Sequence, residues 1–458
     1  MRQGAVNCVY MQLTFYGGTG EATGSNYVLE SGGVRIMIDC GLHQGGHYAD
    51  RENFEPFAYD PKDIAAVFIS HSHLDHIGRL PSLVLAGFSG TIYSTPATRD
   101  FAELMLMDAE HLLAQEAERE ARPPLYRAED IEKAMGLWKG IGYHEPLTVG
   151  PFKIEYYDAG HILGSAITHI ECEGKTIVFS GDLGNIPSPL IKPTEKVPSA
   201  DYCLIESTYG DRVHENVAGR REMLLGAIEE TYKAGGVLMI PTFAMERTQD
   251  LLFHFHQLYH QGKLPDEPIF LDSPLGIKLT ELFRKYEDAF NDKAETIHKE
   301  DGDVLTFPGL RVTLTTEQSK EINNVPAPKI IIAGSGMSNG GRILHHELRY
   351  LPDQKSEVVF VGYQGAGSLG RELLEGATEV RIFGETVPVR CRKIDIPGYS
   401  AHADQPHLLD WLSSMKDSLK KVFVVQGDPD QSVALAHKII DGFGIAAEVP
   451  HAGESVTL

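Results

Sequence analysis

Six residues, His71-Ser72-His73-Leu74-Asp75-His76, constrain this chain more than any other feature. They follow directly on the apolar run Ala65–Ser70, which has the pattern of a strand buried on both faces. Three imidazoles and a carboxylate on a turn at a strand end can converge on metal, and such nitrogen and oxygen donors suit zinc. The competing reading is chance clustering in a chain with 20 His; the strand-then-turn context argues against it. His71 and His73 alternate and can reach one ion, while Asp75 and His76 reach a second.

Two further strand-end turns strengthen this reading. Gly160-His161-Ile162-Leu163-Gly164-Ser165 follows the strand pattern Phe152–Tyr157, and Ser180-Gly181-Asp182-Leu183-Gly184 follows Thr176–Phe179. His161 can complete the shell of the first ion and Asp182 can bridge the two. Each alone reads as a cap or turn residue; together with the first motif they point to a metal centre. Asp39 closes the strand pattern Arg35–Ile38. It is either a turn residue before Gly41 or the carboxylate that orients a ligand histidine from behind.

The remaining sequence places this centre in a larger frame. A length of 458 residues suggests two or three domains, and 42% hydrophobic with 23% charged residues is a globular balance. No apolar run reaches the ~18–20 residues of a membrane span. Met1–Met11 lacks the basic and long apolar regions of a secretory signal. The five Cys (8, 40, 172, 203 and 391) contain no CxxC spacing, so neither a disulfide framework nor a cysteine zinc site is expected. A cytoplasmic protein without a membrane partner is the reading. The net charge of −23 argues, taken alone, against a nucleic-acid partner, because such binding draws on cationic neutralisation of phosphates.

Up to about residue 207, short strands alternate with turns, including a hairpin at Gly32-Gly33. A helix is expected over 97–135, with Phe101, Leu104, Met105, Leu112 and Leu113 at helical spacing and a charged outer face. From about 208 to 395, strands (Val237–Pro241, Ile269–Leu271, Lys329–Ala333, Val358–Val361) alternate with helices (Arg221–Ala234, Arg247–Gln261, Ile277–Phe290, Arg342–Tyr350, Arg371–Leu374), which implies a parallel sheet. Residues 396–458 return to short elements, a strand at Lys421–Val425 and helices at Gln405–Ser414 and Ser432–Gly442.

The order His71-x-His73-x-Asp75-His76, His161, Asp182 resembles the metallo-β-lactamase superfamily. The resemblance covers residues 12–207 and 396–458 and implies an α/β fold: an αββα sandwich with two zinc ions at the strand ends, manganese being a substitute, and an activated water as nucleophile. The insertion at 208–395 resembles the parallel α/β domain of the β-CASP branch, whose bacterial members and mRNA 3′-end cleavage subunit cut RNA. Glu206 in Glu206-Ser207-Thr208-Tyr209-Gly210 resembles that branch's acidic motif, and His402 in Gly398-Tyr399-Ser400-Ala401-His402-Ala403-Asp404 its histidine motif. The resemblance thus implies a ribonuclease holding single-stranded RNA between the domains, with a homodimer suggested by bacterial relatives. His402 is the expected general acid, oriented by Glu206, and Asp75 could steer the proton of the water. Ser335, Gly336 and Ser400 are candidates for cradling a neighbouring phosphate.

One position departs from the pattern. Where the branch has His-Gly-Glu, this chain has Gln426-Gly427-Asp428. A neutral amide is a poor zinc ligand, so the second ion is expected to bind weakly. The alternatives are a degenerate RNA-binding subunit and a small-molecule metallo-hydrolase of the same fold, although the latter kind lacks such an insertion. The charge also divides unevenly: 208–395 holds 28 acidic and 22 basic residues, so about a quarter of the excess lies there. Net charge then limits coating by nucleic acid and not the entry of one strand into a metal-lined cleft.

Overall fold

The glycine pair at 32 and 33 makes the first hairpin. Both take positive φ (57° and 77°), the backbone of a two-residue turn that matches strand twist. Asn26–Ser31 and Val34–Ile38 pair across it, with Ser31 opposite Val34. The computed structural model describes residues 10–44, 51–214, 219–365, 367–396 and 398–458. Cys8 and most of the first eleven residues lie outside them; Cys40, Cys172, Cys203 and Cys391 are free and buried.

The chain divides into two compact units. The first contains residues up to 186, then 193–213 and 402–458; the second contains 187–192 and 214–401. In the first unit, one seven-stranded sheet runs Ser455–Thr457, Gln12–Gly17, Asn26–Ser31, Val34–Ile38, Ile64–Phe68, Thr91–Ser94 and Trp138–Gly140. The other runs Ala446–Glu448, Lys421–Val425, Tyr202–Glu206, Lys175–Phe179, Ala166–Cys172, Phe152–Asp158 and Leu147–Val149. Alternate residues of both sheets face inward and form one core, where Phe15, Leu29, Ile38 and Phe68 meet Tyr156, Ile170, Phe179 and Phe423. Each such side chain contributes about 1.5–3 kcal/mol by leaving water. The outer faces are covered by helices. Leu80, Leu83, Leu106 and Ile131 pack on the first sheet, and Leu408, Trp411, Leu435 and Ile439 on the second. This is an αββα sandwich.

The expected helix over 97–135 is two helices, Pro96–Arg119 and Ala128–Gly136. Pro123-Pro124 lies in the break, because proline has no N–H to continue the ladder. Thr95 caps the first helix by accepting from Thr98 N at 3.2 Å. Its buried face uses Phe101, Ala102, Leu106 and Ala109, whereas Leu112, expected on the apolar stripe, is exposed.

The second unit is built on a wholly parallel sheet in the order Leu310–Val312, Ile269–Asp272, Lys329–Ala333, Val237–Pro241, Glu357–Phe360, Arg392–Asp395. Its central strands are apolar apart from Lys329 and fully buried, as covering helices on both faces require. The expected helix Ile277–Phe290 begins earlier, at Pro274, and ends at Lys285. The helix Asp292–Asp301, the edge strand Leu310–Val312, the hairpin Glu379–Ile382 with Glu385–Pro388, and the edge strand Arg392–Asp395 add to the elements expected.

Candidate metal centre

Strand ends supply the site. His71 and His73 follow Ile64–Phe68, His161 follows Phe152–Asp158, and Asp182 follows Lys175–Phe179. Ligands gather beyond the carboxyl ends of strands because there the backbone is released from its ladder. His71 Nε2 lies 3.0 Å from His73 Nδ1, and His161 Nε2 lies 3.2 Å from the same atom. Asp182 Oδ2 stands 3.4 Å from His71 Nε2 and 3.5 Å from His161 Nε2. Two donors on one zinc, each ~2.0–2.1 Å from it, stand roughly 3.3 Å apart at the edge of a tetrahedron. Burial, with His71 beside one ring and His402 beside the other, holds the His73 and His161 pKa values well below the ordinary histidine range. Neutral rings aiming lone pairs at one point, together with a carboxylate oxygen, fit a divalent cation.

The proton inventory behind these ligands is also set. Asp39 accepts from Ser70 N and Ser70 Oγ, both at 2.8 Å, and its Oδ2 lies 2.7 Å from His76 Nδ1. The single proton of Ser70 Oγ goes to Asp39, so His71 Nδ1, 3.1 Å from that oxygen, is the donor to it. Both rings therefore carry a proton on Nδ1 and turn Nε2 toward the centre. Asp39 itself takes φ 58°, a conformation uncommon outside glycine, and is almost wholly buried. Ser70 was not singled out in the sequence; its signal is a hydroxyl ending an otherwise apolar strand, one residue before the first ligand.

Asp182 faces two ways. Its Oδ1 lies 3.4 Å from His76 Nε2 and accepts from Gln426 Nε2 at 3.0 Å. Gln426 Nε2 is also 3.0 Å from His76 Nε2, and Asp75 Oδ2 is 3.8 Å from that ring nitrogen. Burial opposes charge on His76, but Asp182, Asp39 and Asp75 together outweigh it and raise its pKa well above the ordinary value. Burial raises the Asp75 pKa. At Asp182 the surrounding imidazoles, His76 and His71 foremost, overcome burial and lower the pKa well below the carboxylate range. The side chain of Gln426 is thus lodged between the two groups that a second cation would take. Its backbone, at φ 51°, is pinned by Gln426 N donating to Gly18 O at 2.8 Å. Gly427 permits this, since a Cβ there would stand 2.6 Å from Ser207 O.

Beside the four-donor pocket is a histidine–carboxylate pair. His402 Nδ1 lies 3.2 Å from Glu206 Oε2 and 3.8 Å from Asp182 Oδ2. Glu206 is fully buried, and its other oxygen accepts from Leu183 N at 2.6 Å. Burial works against a charged ring, but Glu206 and Asp182 overcome it and hold the His402 pKa up at about 9. His402 reaches this place because the chain around it bridges Gly184 and Ala403 N donates to Leu183 O at 2.8 Å.

Known proteins place this arrangement. A protein named Ribonuclease TTHA0252, of Thermus thermophilus, is 38% identical over 97% of this chain and 100% of its own length. The chain belongs to the β-CASP branch of the metallo-β-lactamase superfamily. Within that superfamily it is an enzyme of the metal-dependent hydrolase class. An RNase J-like protein of Methanocaldococcus jannaschii is 31% identical over 96% of this chain and 98% of its own length. The transcription termination factor FttA of the same organism is 30% identical, covering 94% of this chain and 69% of that one. Family descriptions match in three stretches. These are the metallo-beta-lactamase superfamily at 19–203, the Beta-Casp domain at 248–373, and the Zn-dependent metallo-hydrolase RNA specificity domain at 386–450. A crystal structure of a protein of unknown function from Enterococcus faecalis shares the fold, with a TM-score of 0.57 at 12% identity over 98% of this chain and 100% of that one. Among the described residues no helix is long and apolar enough to cross a membrane.

The β-CASP unit holds the three remaining candidates. Ser335 Oγ accepts from Asn339 N at 3.1 Å and Gly340 N at 3.2 Å, so that hydroxyl is committed to its own loop. Gly336 runs against Phe243, where a Cβ would stand 2.9 Å from the backbone nitrogen. Ser400 is half-buried just before His402.

Proposed function

We propose that this chain is a metal-dependent ribonuclease that hydrolyses phosphodiester bonds of single-stranded RNA. The observation that carries the reading is the pairing of a four-donor cation pocket with a charged histidine beside it. His71, His73, His161 and Asp182 would hold the first ion, taken as zinc, with manganese able to replace it. When bound, the metal supplies positive charge for the phosphate and lowers the pKa of a water molecule toward neutrality. His402 donates the proton of its Nε2 to the leaving oxygen, while Glu206 holds Nδ1–H and favours the charged ring. Asp75 takes the proton of the attacking water. Ser335, Gly336 and Ser400 are assigned to RNA phosphates away from the reacting one, although the Ser335 N–H is itself taken by Gly340 O at 3.1 Å.

The second ion is proposed to be weakly held. Gln426 offers Asp182 Oδ1 an N–H where a cation would sit, and it gives His76 no negative or lone-pair partner to share a metal with. Histidine at this position would add a ligand. The relatives named for RNA cleavage support RNA as the substrate class, as does the RNA-specificity match at 386–450.

The test is cleavage of end-labelled single-stranded RNA in the presence of zinc or manganese. His402→Ala should lower cleavage by about 10²–10⁴-fold, the usual weight of a general acid, with RNA binding unchanged. Equal loss of binding and cleavage would sink the assignment of His402. An intact wild-type protein that binds RNA and leaves it whole under both metals would leave only the binding-subunit reading.

A further inference from the structure

The β-CASP unit contains a second convergence of metal-ligating side chains, far in sequence from the first. His256 and His260 stand one turn apart on the helix Arg247–His260, so both rings leave the same face. Their centroids are 4.4 Å apart. Asp301 is the last residue of the helix Asp292–Asp301, and its Oδ2 lies 3.6 Å from His256 Nε2 and 3.7 Å from His260 Nδ1. One donor atom from each of the three falls within 4.8 Å of the others.

The protonation of His256 makes this cluster informative. The residue is 2% exposed. Its Nδ1 is 2.8 Å from Thr306 O, and a carbonyl can only accept, so Nδ1 carries the proton. Nε2 is the nitrogen left to face Asp301, and it is buried with no hydrogen-bond partner. A lone pair buried opposite a carboxylate oxygen is repelled by it. Were a proton shared between them, the pair would close to roughly 2.7–2.9 Å. The separation of 3.6 Å is instead close to that of two ligands around one ion.

Two further facts favour a cation here. Both helices end at this point, and helix C-termini carry partial negative charge. Asp301 thus puts an acid at the end of a helix where acids are disfavoured, which a positive partner offsets. The carbonyl of Thr306 behind His256 is the kind of support that fixes the tautomer of a ligating imidazole. His260 and Asp301 are partly exposed, so water can fill the remaining coordination positions.

We propose that His256, His260 and Asp301 form a second metal site that takes a divalent transition ion, zinc by preference, and clamps the helix Arg247–His260 to the end of the helix Asp292–Asp301. Two imidazoles and a carboxylate are donors that such ions accept and that calcium or magnesium do not favour. The site shares no residue with the centre at His71–His76 and does not depend on the ribonuclease reading.

The experiment is equilibrium dialysis of the metal-stripped full chain against zinc, with bound metal counted by mass spectrometry. His260→Ala and Asp301→Asn should each bind one ion fewer per chain than wild type, and both should cleave RNA at the wild-type rate. In a His71→Ala, His73→Ala background, zinc should still raise the melting temperature, and adding His260→Ala should abolish that rise. Both single substitutions fall on partly exposed side chains, and circular dichroism checks that they fold. Equal zinc counts in wild type and His260→Ala, or a zinc-induced rise that survives His260→Ala, would overturn the proposal.

Discussion

The two units treat buried charge in opposite ways. In the β-CASP unit, Asp272 is the last residue of its strand, as Asp182 follows closely on its own, and it is fully buried. Yet Asp272 is saturated by the protein itself: Arg342 Nη1 at 2.7 Å, His346 Nε2 at 2.7 Å, Ser319 Oγ at 2.7 Å and Thr313 Oγ1 at 2.6 Å. Burial pushes its pKa up, and these donors more than reverse that, to about 2. Asp182 accepts one short hydrogen bond, from the Gln426 amide, and otherwise faces imidazole nitrogens held 3.4–3.8 Å away. A buried carboxylate completed by protein donors is structural, while one ringed by imidazoles beyond hydrogen-bond distance leaves room for a cation among them. That difference separates a scaffold from a reactive centre without reference to any relative.

The comparison can be broken by substitution. Asp182→Asn should have the largest effect on function: metal at the first position is lost, and cleavage falls to background. The urea midpoint of the metal-free protein should fall only in part, because Asp182 loses the attraction of the imidazoles that lower its pKa but has just one short hydrogen bond to lose. A metal-free loss as large as that of Asp272→Ala would mean that Asp182 is structural after all. Asp272→Ala should do the reverse. Removing one member of a buried charged network costs about 3–5 kcal/mol, visible as faster amide exchange in Ile269–Asp272 and Lys329–Ala333, with metal content unchanged.

A further effect depends on pH. Glu347 is fully buried, receives only Ser338 Oγ at 2.6 Å, and burial raises its pKa to about 8. It is neutral in the folded unit at pH 7 but ionised once unfolded. Stability is therefore greatest below the unfolded value of about 4.5 and declines as pH rises toward 8, by about 1.4 kcal/mol per unit. Glu347→Gln should remove that decline and leave stability at pH 4 unchanged; parallel curves for the two proteins between pH 5 and 8 would refute it. The smallest change expected is a count. Gln426→His should raise firmly held metal at the first centre by one ion per chain, and an unchanged count would show that the amide does not set the occupancy.

The same contrast explains what could be read from the sequence. His71, His73, Asp75 and His76 are adjacent, so their convergence shows in the letters, and the strand ends at His161 and Asp182 repeat the signal. The network around Asp272 joins residues from 272 to 346, each ordinary where it stands, and no local pattern reports it. His256 and His260 are one helical turn apart, yet Asp301 and the Thr306 carbonyl arrive only through folding. Hairpins show the limit at its smallest scale. Gly32-Gly33 is legible because both residues want positive φ. The turn at Phe383-Gly384 is also positive in φ at both residues, 51° and 84°, with a phenylalanine in the first place, so its composition announces it far less.

The divided first unit has a consequence for the growing chain on the ribosome. Strand Tyr202–Glu206 lies between Lys175–Phe179 and Lys421–Val425. Its second neighbour is not synthesised until the whole insertion has been made, and at ~5–20 residues per second that delay is roughly 10–40 s. During that interval an apolar strand edge stands open, a surface on which other chains can pair. Throughout it Glu206 waits without His402, its partner in the ion pair. The buried Glu206 gains its histidine only once the last domain segment has begun to emerge.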